Sequence, residues 1–129
     1  MSGRTRLSQL AALLLAAAST EALAAPDVSI ATPASGVEAV AFEVPGCRYC
    51  ELFRRDVLLT YNGTPAGKQA PLRFVDLNEA AAASLKLAGP ITIVPTVVLL
   101  KDGVELGRIP GYVGRQNFHH LMDTLLGTQ

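Results

Sequence analysis

The chain contains no tryptophan and only two cysteines and two methionines in 129 residues, and its 11 basic side chains are matched by 11 acidic ones. Each shortage excludes something. Without a second cysteine pair there is no four-cysteine zinc site and no framework of several disulfides. Without an excess of lysine and arginine there is no electrostatic footprint for nucleic acid or an anionic membrane. Neither methionine lies near the cysteines, so a copper ion there would find two thiolates and no further soft ligand. No apolar run reaches the roughly 18 residues of a membrane-spanning helix. Repeats and low-complexity tracts are missing beyond residue 24.

What is present begins with an export signal. Arg4 and Arg6 precede an apolar stretch from Leu10 to Ala18, and Ala22-Leu23-Ala24 closes it. A positive start, a short apolar middle and an A-x-A end is the pattern of a secretory signal peptide, with cleavage expected after Ala24. Residues 1–24 carry Arg4, Arg6 and Glu21, so nine basic and ten acidic side chains remain beyond them, a net charge of −1. Export places the two cysteines where disulfides persist. Residues 25–36, with Pro33, Ser35 and Gly36, read as a loose lead-in, and 37–129 as one small α/β domain.

Within that domain Val37 to Val44 reads as a buried strand. Pro45-Gly46 ends it, and a helix is expected from Cys47 to about Thr60, with Cys50, Phe53 and Val57 on one face. Tyr61 to Pro71, carrying Asn62-Gly63, Pro65 and Gly67, reads as a loop. Leu72 to Leu77 is a second strand. Asn78 is the expected N-cap of an Ala-rich helix running to about Ala88, with Gly89-Pro90 as its stop. Thr96 to Leu100 and Val104 to Ile109 are strands joined by an Asp102-Gly103 turn, with a bulge expected at Gly107. Phe118, Leu121, Met122 and Leu125 mark a last helix. The order β-α-β-α-β-β-α implies a partly parallel sheet with an antiparallel hairpin at one edge.

The chemistry centres on Cys47-Arg48-Tyr49-Cys50. Thiolate is the attacking form of cysteine, and Cys47 stands where a strand gives way to a helix, at the positive end of the helix dipole. Arg48 pushes the same way. Cys50, one turn further in, is expected to be more buried and less reactive. A structural disulfide closing so short a loop would remove little chain entropy. Metal binding would need His119 and His120 to complete the cysteine pair, but adjacent residues diverge by about 100° on a helix, so both are expected in solvent. Haem attachment would need His, not Glu51, after Cys50. Redox exchange is the favoured reading. A non-enzymatic Cu(I) carrier is the rival from another class. No cofactor is implied.

Phe42, Cys47-Arg48-Tyr49-Cys50, Val75-Asp76-Leu77-Asn78, Val94-Pro95-Thr96, Asp102-Gly103 and Gly111 together resemble the thioredoxin superfamily over most of residues 37–126. That resemblance implies a thioredoxin-like fold with a four-stranded mixed sheet and flanking helices. It implies that Pro95 is a cis-proline facing a Cys47–Cys50 disulfide, that the backbone of Val94 pairs with an extended substrate segment, and that Gly111 keeps the groove open. Tyr49 and Tyr112 would shape the surface around the sulfurs.

Three departures stand out, the first being that Arg48-Tyr49 stands between the cysteines in place of Gly-Pro. The tryptophan that usually precedes the first cysteine is replaced by Gly46. The buried acid usual on the preceding strand would fall at Ala41; Glu43, two residues on, is a candidate proton acceptor for Cys50, although exposure to solvent is the expectation. The export signal, Pro45-Gly46-Cys47 with Tyr49-Cys50, the loop to Ala70-Pro71-Leu72-Arg73, and Gly107 to Tyr112 are most similar to small periplasmic thioredoxins of bacterial sulfur-oxidation systems. In that group the implied role is reductive: a periplasmic partner protein with a disulfide or blocked cysteine is the substrate, and a membrane thiol-electron transporter the electron source. A monomer is expected. The same residues also suit an oxidant or a thioredoxin of cytochrome c maturation.

Overall fold

The computed structural model describes residues 36–127. The expected signal peptide and nearly all of the lead-in lie outside the described residues. β1 (Val37–Glu43) occupies the middle of a four-stranded sheet, parallel to β2 (Leu72–Asp76) and antiparallel to β3 (Thr96–Lys101). β4 (Val104–Pro110) pairs antiparallel with β3, giving the order β2-β1-β3-β4. This is the mixed sheet implied by the element order. The hairpin turn is made by Asp102 and Gly103, both at positive φ, as a two-residue connection matched to strand twist requires.

Side-chain alternation divides the core between the two faces of the sheet. Val37, Ala39 and Ala41 of β1 join Val97 and Leu99 of β3 on one face, under Phe53, Tyr61 and Phe118. Val40, Phe42, Val98 and Leu100 point the other way, against Leu77, Leu85, Leu87 and Ile91. The central strands are therefore buried on both sides, which explains why they read as nearly continuous apolar runs.

The helix after the cysteines is regular only at its start. α1 (Arg48–Phe53) passes into a π-helical stretch, Arg54–Leu58, and then into α2 (Leu59–Tyr61). Cys50, Phe53 and Val57 are buried on one face, as their spacing predicts. Tyr61, at the far end, is fully buried and its hydroxyl donates to the carbonyls of Ala70 (2.9 Å) and Ala66 (3.3 Å). Burial pushes its phenol well above the ordinary range.

Three stretches correct the sequence reading. The expected loop at 61–71 contains α3 (Pro65–Gln69), capped by Thr64, whose hydroxyl accepts from Gly67 N–H at 3.0 Å. Thr followed by Pro at the first helical position is a helix start signal in its own right. Gly67 is there because a Cβ would come within 2.1 Å of the Tyr61 carbonyl oxygen. The Ala-rich helix is only one turn, α4 (Ala80–Ala83), with Glu79 rather than Asn78 at its N-cap. Beyond it Leu85 and Leu87, two apart, lean on the same core face, a spacing that suits extended chain and not helix. The bulge in β4 falls at Leu106, one residue before the expected Gly107, since Leu99 pairs with Gly107 and Leu100 with Glu105. α5 (Arg115–Gly127) closes the chain. No helix among the described residues is long and apolar enough to cross a membrane.

Candidate active site at the Cys47–Cys50 disulfide

Register brings three loops to one end of the sheet. β1 ends at Glu43, and Phe42 stands opposite Thr96, the first residue of β3. Thr96 in turn stands opposite Pro110, the last residue of β4. The turn Val44–Cys47, the segment Ile93–Pro95 and Gly111 therefore meet at that end. The peptide bond between Val94 and Pro95 is cis, and the Thr96 hydroxyl donates to the Ile93 carbonyl at 2.7 Å, closing the chain around it. Gly111 adopts φ +75°, a left-handed conformation that side-chain-bearing residues resist.

Cys47 and Cys50 form a disulfide with Cα atoms 5.2 Å apart. Cys47 is the N-cap of α1, half-buried, and its Sγ accepts the Cys50 backbone N–H at 3.1 Å. In the reduced protein that N–H and the helix dipole face a sulfur at which negative charge is favoured. Cys50 is only 4% exposed. One sulfur thus fronts solvent and the other lies behind it, in the order expected for an attacking and a resolving cysteine. Gly46 has φ +72°, a left-handed backbone conformation that favours glycine. Arg48 and Tyr49, between the two cysteines, are exposed, Tyr49 at 62%, and Ile93 is 51% exposed.

Behind the disulfide lies a pocket of about 210 Å³, lined by Cys47 and Cys50 together with Glu43, Glu51, Arg54 and Asp76. Here the structure corrects the reading of Glu43. It shares the sheet face of Ala41 and does not stand free in solvent: both carboxylate oxygens accept from Arg54, Oε2 from Nε at 2.8 Å and Oε1 from Nη2. Arg54 in turn stacks on Phe74, its guanidinium carbon 3.6 Å from the ring centroid. The bond to Glu43 holds the Arg54 guanidinium above its ordinary pKa. The acid missing at Ala41 has a counterpart one sheet step nearer the mouth, already neutralised by a cation from the π-helical stretch. π turns of this kind are frequent at functional sites because they re-aim side chains.

Tyr112 is placed differently from the expectation. Its hydroxyl donates to Asp56 Oδ2 at 2.6 Å, and its ring meets Phe53 edge-on with centroids 6.3 Å apart. It braces the helix against the loop before α5 and lines a separate hollow of about 630 Å³ with Asp56, Arg115 and Gln116. Arg55 and Tyr112 together hold the Asp56 carboxyl below its ordinary range, and Asp56 raises the Tyr112 phenol. His119 is not simply in solvent either: its Nε2 lies 3.2 Å from the Thr60 hydroxyl and its ring tilts against Tyr61. Arg54 and Asp56 were missed from sequence, since a regular helix gives no reason to aim them at β1 and the α5 loop.

A family profile described as "Thioredoxin-like domain" matches residues 33–126. Among solved structures, the chain is similar to the periplasmic thioredoxin SoxS of Paracoccus pantotrophus in its reduced form, at 34% identity and a TM-score of 0.66. That match covers 70% of this chain and 96% of SoxS. A thioredoxin of Malassezia sympodialis (Mala s 13) is 22% identical with a TM-score of 0.55, covering 72% of this chain and 80% of that one. Thioredoxin-2 of the malaria parasite is 24% identical with a TM-score of 0.54, covering 68% and 82%. These two show the shared fold alone. No curated protein sequence matches. With its paired cysteines at a helix start and a profile match over most of its length, this chain belongs to the thioredoxin-like family and is a thiol–disulfide oxidoreductase.

Proposed function

We infer that the protein works in the reducing direction after export, on a periplasmic partner protein carrying a disulfide or a blocked cysteine. The observation that carries this reading is the 34% identity spread over 96% of the periplasmic SoxS chain, joined to a signal-like N-terminus. The partner favoured by that likeness is the carrier protein of sulfur oxidation, and the electron source a membrane thiol transporter.

The cycle starts from the dithiol. The Cys47 thiolate attacks one sulfur of the partner's disulfide, forming a Cys47–partner bond and releasing the other partner sulfur as thiolate. Cys50, deprotonated, then attacks Cys47 Sγ, and the second partner sulfur leaves. Two electrons pass to the partner and the Cys47–Cys50 disulfide is formed. During the first step the backbone of Val94 pairs with the partner's extended segment as an added strand, while Pro95, Gly111 and Tyr49 border it. Arg48 favours thiolate at Cys47.

Changing Cys50 to Ser removes the resolving thiol, so the partner stays bound through Cys47. Expressed in a periplasm that contains the sulfur-oxidation proteins, C50S is expected to yield a dithiothreitol-sensitive adduct whose mass identifies the carrier protein; absence of any adduct sinks the mechanism. Equilibration against glutathione sets the direction: a potential near about −270 mV supports a reductant and one near about −120 mV an oxidant. Tight Cu(I) binding without reduction of insulin would favour the carrier reading instead.

A further inference from the structure

The segment that leads into β3 at the disulfide end of the sheet is gripped by a pair of charged residues on the edge strand. Residues three apart on an unbroken strand point to opposite faces. The extra residue at Leu106 re-phases β4, so that Glu105, opposite Leu100, and Arg108, opposite Val98, lie on the same face of the sheet. Gly107, opposite Leu99, faces the other side and lets α5 come close: a Cβ there would stand 2.7 Å from Leu125 Cδ2.

On that shared face the two side chains lock together. Arg108 Nε donates to Glu105 Oε1 at 2.6 Å, and Nη2 donates to Oε2 at 2.7 Å. The guanidinium then reaches past Glu105 to the incoming chain: Nη1 donates to the Pro90 carbonyl at 3.0 Å and Nη2 to the Gly89 carbonyl at 3.0 Å. Glu105 Oε2 accepts the Ala88 N–H at 2.7 Å. The Glu105 side chain is 6% exposed. Three consecutive backbone groups are thus held by one ion pair, directly before Ile91–Pro95.

We propose that Arg108 and Glu105 are positioning residues for substrate binding: they set where Ile93 and Val94 present their backbone to a partner's extended segment. The proposal rests on the reading of Val94 as the substrate-pairing residue. Thr96 ties only the Ile93 carbonyl, to the start of β3, so the direction in which the chain enters Ile93 and Val94 depends on the upstream grip as well. Arginine is needed for its planar fork, which serves the carboxylate and both carbonyls at once; lysine offers a single point charge.

The test uses the full chain. Removing Arg108 alone would strand a carboxylate in a nearly buried place, so the main variant is the neutral double substitution Arg108→Met with Glu105→Gln. With insulin as the probe, KM is expected to rise roughly 10-fold, as a misplaced binding segment costs, with kcat and the redox equilibrium against glutathione unchanged. Amide hydrogen exchange at Ile93 and Val94 is expected to quicken. Arg108→Lys should fall between wild type and the double variant. Glu105→Gln alone, which leaves the arginine on both carbonyls but weakens its anchor and the bond to Ala88, should raise KM and quicken exchange by less than the double variant does. The proposal is overturned if the double variant loses thermal stability but keeps wild-type KM and exchange, for then the pair is structural only. It is equally overturned if the redox equilibrium moves, which would mean the pair acts on the sulfurs. Should the double variant not fold, the Arg108→Lys and Glu105→Gln values decide by the same two readouts. If the wild-type chain does not reduce insulin, the functional reading fails, and the exchange rates still decide whether the grip holds the segment.

Discussion

The helix that carries the sulfurs is held by an aromatic cluster, whereas the segment at 88–95 adds to the packing of Ile91 and Pro95 a set of hydrogen bonds to its backbone. Phe53, one turn beyond Cys50, meets Phe74, Tyr112 and Phe118 edge-on, with ring centroids 5.1 to 6.3 Å apart. That cluster fixes the helix carrying both sulfurs. The segment at 88–95 is also tied through the carbonyls of Gly89, Pro90 and Ile93 and the N–H of Ala88. Packing resists displacement in every direction and gives the sulfurs one geometry. Backbone hydrogen bonds fix position while leaving Ile93 exposed and Val94 only half-buried, so the same segment is available to another chain. A nucleophile and its resolving partner need the first kind of support; a surface that accepts varied partner segments suits the second.

The sharpest way to break this contrast is to cut the aromatic cluster. Phe53→Ala is expected to cost about 3–5 kcal/mol, the range for deleting a buried aromatic from a packed core. Chemical denaturation checks the magnitude, and a loss under 1 kcal/mol would show that the helix side does not depend on this packing. Gly67→Ala comes next. Its Cβ would collide with the Tyr61 carbonyl, backbone that cannot swing away, so α3 must shift at roughly 1–3 kcal/mol, the usual cost of overpacking. Since α3 lies behind the helix and away from the cleft, the rate of insulin reduction at 25 °C should remain within about twofold while the variant is folded.

Much of the helix side was legible in the sequence for the same reason that it is strong. Apolar spacing at Cys50, Phe53 and Val57 announces a buried face, and the β-branched runs announce central strands. The short motif at 45–50 and the Val94-Pro95-Thr96 segment announce the chemistry. The polar supports were not legible. Glu105 and Arg108 sit three apart on a strand, a spacing that separates them until a bulge is placed at Leu106. Arg54 reaches Glu43 from within a π turn whose position no propensity marks. The stop after α4 was hidden because four alanines favour helix locally, while Leu85 and Leu87 gain more by reaching the sheet in extended form. Local propensity lost to tertiary burial in that stretch, and charge pairs became readable only once the register was known.

Arg54→Met probes a charge pair on the helix side, where packing dominates. The pair joins a half-exposed arginine to a half-buried carboxylate, so its loss should cost about 1 kcal/mol, near the upper end for exposed ion pairs. The functional effect should be more visible than the stability effect. Freed from Arg54, Glu43 becomes an unpaired carboxylate in the pocket that Cys50 lines, and a nearby negative charge opposes thiolate formation. The apparent pKa of the resolving step, read from the pH dependence of mixed-disulfide decay, is expected to rise, whereas Arg54→Met with Glu43→Gln should bring it back. An unchanged profile in both variants would show that the pair serves only to hold β1 against the helix.

The smallest effect belongs to the loop side and is separable by pH. Arg108, and then the Ala88 N–H, hold the Glu105 carboxyl below its ordinary pKa. A carboxyl whose folded value is depressed stabilises the protein above its unfolded value, about 4.3, and that contribution fades as pH falls through the folded value. Glu105→Gln should therefore unfold at a lower temperature than wild type at pH 7, by a few degrees at most. The gap should narrow steadily below about pH 4, as the wild-type carboxyl takes up its proton. Phe53→Ala, which removes no titrating group, should show the same deficit at both pH values wherever unfolding stays two-state. A Glu105→Gln gap that persists undiminished at low pH would mean that shape and hydrogen bonding, rather than charge, hold the segment in place.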